Sequence, residues 1–219
     1  MDTAKVAPAA VEGIAAPAGE TATAVQAMTL DAITRAKMLQ IPERIETERL
    51  ILVASDATQV EATFAAAYAS RDELSLWMPW AHPEPTLQGV TKHHADARAH
   101  WFARDMFHFQ IYEKSGQKLV GKCSFHHVDW DIPKLEIGHW LLTSAAGNGY
   151  CTEAVNALVV LARNILGAAR LEICTDPDNA KSRAVAERCG FMLEGILKQN
   201  FRAPNGSLRD SCMYALVLN

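Results

Sequence analysis

Glu136-Ile-Gly-His-Trp-Leu-Leu-Thr-Ser-Ala-Ala-Gly-Asn-Gly-Tyr-Cys-Thr-Glu153 is the stretch around which the chain organises itself. Residues Leu135 to Leu142 read as a buried strand. Gly147 and Gly149 make a tight loop, and a helix begins near Thr152. A strand feeding a glycine loop feeding a helix directs the unpaired N–H groups of the loop and first turn at one spot, where the helix dipole favours negative charge. The junction therefore reads as a phosphate-holding corner. A P-loop needs Lys followed by Ser or Thr after its last glycine, and Tyr150-Cys151 stands there. A dinucleotide fingerprint needs a third glycine, where this chain has Thr152, and a preceding βαβ unit. Neither fits.

Outward from this corner, the pattern of elements is regular. Downstream, Ala154, Val155, Leu158 and Ile165 make an apolar helix stopped by Gly167. Leu171 to Thr175 is a strand, Asn179 to Cys189 a helix, and Phe191 to Lys198 and Leu208 to Leu218 are strands joined at Pro204-Asn-Gly206. Upstream, Phe107, Phe109 and Ile111 alternate with polar residues as a half-buried strand, and Leu119 to Val128 is its neighbour. Short connections between these strands predict an antiparallel meander. Arg49 to Val53 is a first strand, followed by a capping box from Asp56 to Gln59 and a helix with Val60, Phe64 and Tyr68 on one face. An aromatic loop, Leu76-Trp-Met-Pro-Trp80, leads to a helix from Thr86 to about Arg104. Its face carries Leu87, Val90, His94, Ala97 and Trp101, with His94 read as a core or pocket-edge histidine.

The order predicts an α/β (α+β) fold, a mixed and mostly antiparallel seven-stranded sheet with helices on both faces. The ordered domain spans 45–219. Residues 1–40 form an Ala/Thr/Pro-rich extension too poor in core residues to offset its ordering entropy, read as a mobile tail with one short helix between Leu30 and Leu39.

A length of 219 residues suits one domain plus this extension, and a formal charge of −4 offers no basic footprint for nucleic acid. Five scattered cysteines with no C-x-x-C pair argue for reduced thiols. No apolar run reaches membrane-spanning length and no cationic-apolar leader is visible, so the expected setting is cytoplasmic, without membrane contact. Eight histidines invite a metal, but no H-E-x-x-H or Cys/His spacing occurs. His126 and His127, adjacent on a strand, should point to opposite faces. The expectation is no metal.

Several separated segments resemble one family: Glu48-Arg-Leu50, Leu76 to Trp80, Glu136-Ile-Gly-His-Trp140, Gly147-Asn-Gly-Tyr-Cys-Thr-Glu-Ala154, Asn179-Ala-Lys-Ser182, Gly190-Phe191 and Glu194-Gly195. Their order and spacing resemble the GNAT superfamily of acetyl-CoA-dependent N-acetyltransferases, in the RimJ/RimL-like branch that acts on ribosomal proteins. The resemblance covers about residues 45–218 and implies the GNAT fold. In that family the loop reads Arg or Gln, two variable residues, Gly, one variable residue, then Gly or Ala. Here Gly149 matches the central glycine, while Ala146 replaces the Arg/Gln and Cys151 the small terminal residue. Losing one such side chain weakens binding roughly tenfold if it removes a hydrogen bond of about 1.5 kcal/mol.

The resemblance implies acetyl-CoA between the strand ending at Trp140, Leu141 and Leu142 and the strand Leu171 to Thr175. Its contacts would come from those three residues, from Ala146, Gly147, Asn148, Gly149, Tyr150, Cys151 and Thr152, and from Asn179 and Ser182. Asn179 also reads as a simple helix cap, and Ser182 as a helix-surface serine. Direct transfer to an amine requires a proton acceptor, a stabilised oxyanion and a proton for the leaving thiolate. Ser182 matches the family position for the last role, and a backbone N–H of the third meander strand is the usual oxyanion donor. Glu136 is the candidate base. Phe201 stands where the branch carries another carboxylate, so His139 and His126 stay open for that role. Cys151 reads as a small loop residue. Trp80 and Trp77 are candidates to line the acceptor side.

The implied acceptor is a primary amine, foremost a protein N-terminal α-amine, with a homodimer as an allowed assembly. Two alternatives stand beside it: a small-molecule amine acetyltransferase, and a non-catalytic acyl-CoA-binding regulator motivated by Ala146, Cys151 and Phe201.

Overall fold

The computed structural model describes residue 32 and residues 34–82, 84–203 and 205–218. Most of the expected extension lies outside them; its residues 34–38 are helical. The body is one eight-stranded sheet with the order β1-β2-β3-β4-β5-β6-β8-β7. The strands are β1 (Arg44–Glu46), β2 (Leu50–Ala54), β3 (Phe107–Glu113), β4 (Lys118–Asp129), β5 (Lys134–Leu141), β6 (Arg170–Thr175), β7 (Met192–Arg202) and β8 (Leu208–Val217). One more strand is present than the seven expected. It is β1, whose three residues pair with β2 from Arg44↔Val53 to Glu46↔Ile51. With one apolar residue among three, it shows no period in the sequence.

The helices are α1 (Val60–Ala69), α2 (Arg71–Trp77), α3 (Leu87–Ala103), α4 (Tyr150–Leu161) and α5 (Ala180–Arg188). The capping box before α1 forms as expected: Asp56 accepts from the Thr58 N–H at 2.8 Å and the Gln59 side chain accepts from the Asp56 N–H at 3.0 Å. The face α1 buries is different. Thr63, Ala66 and Ala67 are buried while Tyr68 is 42% exposed. Small residues let α1 lie close to β4 and Trp140, whereas the larger Phe64 and Tyr68 stack on each other outside.

Alternation along the strands sorts the two faces. Leu50, Leu52, Phe109, Ile111, Phe125, Leu135, Ile137, Leu171 and Ile173 form the main core, closed by Ala154, Val155 and Leu158 of α4 and by Val185 and Ala186 of α5. The opposite face carries Gln110, Lys122 and Trp140 and is covered by α1 and the first half of α3.

All strand pairs are antiparallel except β5 with β6, which are parallel and meet over only three registers, Lys134↔Arg170, Leu135↔Leu171 and Glu136↔Glu172. Beyond Glu136, β5 stays with β4 up to Gly121↔Leu141, while β6 stays with β8 up to Thr175↔Cys212. The sheet therefore opens into a V beside residues 137–141. No described helix is long and apolar enough to cross a membrane.

Phe109 is fully buried, with Trp101 edge-on at 5.3 Å. Phe109→Ala is expected to lower the unfolding free energy in urea by roughly 3–5 kcal/mol. Phe102→Ala, at a ring 67% exposed beneath Arg98, should cost less than about 1 kcal/mol.

Candidate active site

On the helix-covered side of the V, the sheet forms the floor of a cleft of about 360 Å³. Cross-strand registers set the rows of that floor: Lys122↔Trp140, Ser124↔Gly138 and His126↔Glu136. Gly138 provides the room. A Cβ there would lie 2.7 Å from His126 Cε1 and 3.3 Å from Ser124 Oγ, too close for either to stay in place. Thr63 and Ala67 of α1, Gly89, Val90 and His93 of α3, and the segment holding Met78, Trp80 and Pro85 form the walls. Trp80, a residue expected on the acceptor side, lines this cleft with its ring 5.9 Å from that of Trp140. Trp77 is not part of the lining; the Arg209 guanidinium lies 5.6 Å from its ring instead.

The floor is rich in bases and poor in charge. Lys122 is 6% exposed, and burial pushes its ammonium down to about 7. Its Nζ hydrogen-bonds His93 Nε2. Burial, then the neighbouring Lys122, holds His93 near 3 and His108 near 2, so both rings are neutral. His94, by contrast, is a satisfied core histidine, with Nδ1 2.6 Å from the Asp56 carbonyl and Nε2 3.1 Å from Thr63 Oγ1.

Glu136 stands in the last of these rows, with both carboxylate oxygens engaged. His126 Nε2 is 3.2 Å from Oε1 and His127 Nδ1 is 2.8 Å from Oε2. The two adjacent histidines thus share one carboxylate, contrary to the strand rule. A register shift after His126 and a left-handed His127 (φ +48°) turn the second ring to the same side. These three residues are the one described His/Cys/Asp/Glu group whose ligand atoms all lie within 4.8 Å. Burial raises Glu136, but the two histidine contacts outweigh it and hold its carboxyl below the usual range. A carboxylate only accepts, so His126 Nε2 carries a hydrogen toward Oε1, and its Nδ1 lies beside Gly138 at the cleft.

At the V itself, Leu142 N–H donates to the Val120 carbonyl at 2.8 Å, on the β4 side. By strand alternation the amides of Trp140 also turn to β4, and those of His139 and Leu141 face the opening. Of the three expected backbone partners, Leu141 is positioned for a ligand, whereas the Leu142 N–H is already used and Trp140 contributes its side chain to the cleft. Across the opening, Ser182 Oγ lies 3.4 Å from His139 Nε2. Burial holds His139 near 4, and its Nδ1 is buried without a partner among the described residues. Asn179 acts as a helix cap, its Oδ1 accepting from the Ser182 N–H at 3.1 Å.

The glycine corner is built as the sequence implies. Gly147 (φ +85°) and Gly149 (φ +79°) adopt conformations that favour glycine, and Gly149 caps α4 with no side-chain bond. The first bond of the helix runs from Glu153 N–H to the Gly149 carbonyl, so the N–H groups of Tyr150, Cys151 and Thr152 are outside the helical ladder. Ala146 to Gly149 are exposed. Asn148 folds its amide back onto the Ala145 carbonyl, Tyr150 donates to Glu113 at 2.6 Å, and Thr152 Oγ1 accepts from Arg188. Burial pushes the Cys151 thiol up to about 12, which makes it inert.

One set of residues escapes sequence reasoning. Arg49 donates to the Asn148 carbonyl at 2.9 Å and to Glu153 Oε2 at 2.7 Å, and Glu153 Oε1 accepts from Thr47 Oγ1 at 2.5 Å. This clamp ties β2 to the loop and brings a guanidinium beside Gly149. The Glu48-Arg-Leu50 segment is visible in the sequence, but its partner is 104 residues away.

The Acetyltransferase (GNAT) domain family model matches residues 49–192. The chain belongs to the GNAT acetyltransferase family. The uncharacterized N-acetyltransferase YoaA of Bacillus subtilis is 27% identical over 173 residues, 79% of this chain and 96% of its own length. The ribosomal-protein-serine acetyltransferase of Escherichia coli is 33% identical over 111 residues, 51% of this chain and 60% of its own. Among solved structures, RimL, a ribosomal alpha-N-protein acetyltransferase in complex with coenzyme A, superposes with a TM-score of 0.73 at 26% identity, covering 81% of this chain and 97% of that one. The chain is accordingly an N-acetyltransferase.

The clamp carries a pH signature. Burial raises Glu153, but its bonds to Thr47 and Arg49 outweigh this and depress its carboxyl. A depressed carboxylate stabilises the fold above its unfolded value and loses that contribution as pH falls through the folded one. Glu153→Gln is expected to lower the melting temperature at pH 7 and to flatten its acid-side decline below about pH 4.5. Equal acid-side slopes in both proteins would discard the clamp. Coenzyme A affinity should fall roughly tenfold in the same variant, read by calorimetry.

Proposed function

We propose that this N-acetyltransferase moves acetyl from acetyl-CoA to the α-amine of a protein N-terminus, by direct attack in a ternary complex. The observation that carries the proposal is the junction of two openings at one strand. The V exposes the outer edge of β5, and the acceptor cleft lies on the face of the same residues. The donor fits this chain: exposed glycine-loop amides, helix N–H groups outside the ladder and the Arg49 guanidinium together suit an anionic phosphate. Gly147, Gly149 and the first turn of α4 would hold its phosphates, and Leu141 its amide arm. When bound it supplies an activated thioester acyl group.

The chain's own residues then divide the proton chemistry. His126 takes the proton from the acceptor amine through its cleft-facing Nδ1, directly or through a water. Glu136 acts on that ring rather than on the amine, because both of its oxygens are already occupied. Ser182, with His139 behind it, stands at the V to protonate the departing sulfur. The amide of His139 or Leu141 is the donor for the oxyanion.

A histidine base suits an α-amine better than a lysine side chain. With a pKa of 7.7–8.0 an α-amine is about one-third neutral at pH 7.5, against about one part in a thousand for lysine near 10.4. The E. coli relative is named for a ribosomal-protein serine, which agrees with a protein acceptor.

Release of free CoA thiol with peptide acceptors tests these assignments. Peptides with a free N-terminus should turn over, and the same peptides blocked at the N-terminus but carrying an internal lysine should not. Ser182→Ala and His126→Gln should each lower kcat at least about tenfold with peptide KM little changed. No thiol release from any peptide, with coenzyme A binding intact, would overturn the reading.

A further inference from the structure

The acceptor cleft holds a buried lysine with no anion. Lys122 is 6% exposed, and among the described residues no carboxylate makes an ion pair with it. Taking an ammonium out of water without an opposite charge is strongly unfavourable, and an anion from outside the chain would remove that cost at this cleft. The surroundings agree. His93 hydrogen-bonds the lysine, and the His108 ring packs edge-on against His93 at 4.8 Å. His108 Nδ1 is buried with no hydrogen-bond partner among the described residues, although the ring lines the cleft. Glu136 is two cross-strand rows away and engaged by His126 and His127, and Asp96, which acts on His93, is paired with Lys92.

We propose that Lys122, with His93 and His108, forms an anion subsite on the floor of the cleft, which takes the side-chain carboxylate of an acceptor whose reacting amine lies a few bonds away. The amine would stand at Gly138 and His126, one and two rows from Lys122, and the carboxylate at the lysine. The acceptor class is therefore an N-terminus with Asp or Glu at its first or second position. The apolar walls at Trp80, Val90 and Trp140 exclude water and strengthen the pairing. Burial alone holds the lysine near 7, and a neighbouring carboxylate favours its charged form. This inference rests on the reading of the cleft as the acceptor site, so the test includes a binding arm that needs no turnover.

In the turnover arm, the full chain with saturating acetyl-CoA is offered peptides with Glu or Asp at the first or second position and their Gln or Asn counterparts. The acidic peptides should have a kcat/KM about ten- to a hundredfold higher, expressed in KM, as expected of a charge-assisted hydrogen bond. Lys122→Met should bring that ratio to near one, and Lys122→Arg should restore part of it. A Lys122→Met variant that lowers kcat on acidic and amide peptides alike, with the ratio unchanged, makes Lys122 a proton acceptor and overturns the subsite. In the binding arm, millimolar glutarate should raise the melting temperature of the wild type while glutaramide does not, and Lys122→Met should lose the shift. Equal glutarate shifts in wild type and Lys122→Met also overturn it. Glutarate stabilisation that depends on Lys122, with no peptide turned over, would keep the anion site and sink the acceptor assignment. Lys122→Met removes an unpaired buried charge and is expected to fold at least as stably as the wild type.

Discussion

Only three registers of parallel pairing hold β5 to β6, and the geometry of both openings depends on that short seam. The seam is closed firmly at one end. The amides of Ala169 and Arg170 both reach the Pro133 carbonyl, and Leu218 N–H returns to Ala169. Arg170 also bridges Glu172 and, in a bidentate pair, Glu194. Each strand is then drawn away by its other neighbour, β5 by β4 and β6 by β8. A parallel pair that ends this early leaves amides of His139 and Leu141 without a neighbouring strand, where a ligand backbone can take the missing strand's place. The proposed donor site is thus a consequence of sheet topology before it is a matter of side chains.

The two halves of the site use opposite physics. The proposed phosphate corner is exposed and made of backbone amides plus one guanidinium, so its hold on an anion would depend little on which side chains fill the loop. Ala146 in place of an Arg or Gln is tolerable on this view, because Arg49 comes to the same corner from β2, held by Glu153 and Thr47. The acceptor cleft is desolvated and made of side chains. Burial there keeps His93 and His108 neutral and weakens the hold of Lys122 on its proton, so each polar group is in the form that a bound acceptor can alter most.

Most of the fold was legible because long periodic segments report their own state. The meander, the glycine corner, the Asp56 cap and the helix running through His94 and Trp101 all follow from local pattern. What was not legible depends on contacts distant in sequence or on backbone exceptions. β1 has one apolar residue and exists through its pairing with β2. The buried face of α1 consists of Thr63, Ala66 and Ala67, because closeness to β4 selects small side chains, and a rule that looks for large apolar residues finds Phe64 and Tyr68 instead. His127 joins His126 on Glu136 only because its backbone leaves the strand conformation, which no periodicity announces. The candidate residues divide in the same way: Ser182, Gly149, Trp80 and Glu136 stand in segments of the family pattern, whereas Arg49 and Lys122 gain meaning only from their neighbours in space.

The arrangement of Glu136 shows why proximity alone is a poor guide to catalysis. As a strand carboxylate beside the V it looks like a base, but a carboxylate whose two oxygens accept from two imidazoles has little basicity left for an incoming amine. The same bonds that spend Glu136 orient His126, turning its Nε2 to the carboxylate and its Nδ1 to the room beside Gly138. A side chain at position 138 would press on the His126 ring itself and fill the room beside its Nδ1, so the proposed base depends on this glycine. In the proposed mechanism the glycine in Glu136-Ile-Gly-His-Trp140 thus matters as much as the residues on either side of it.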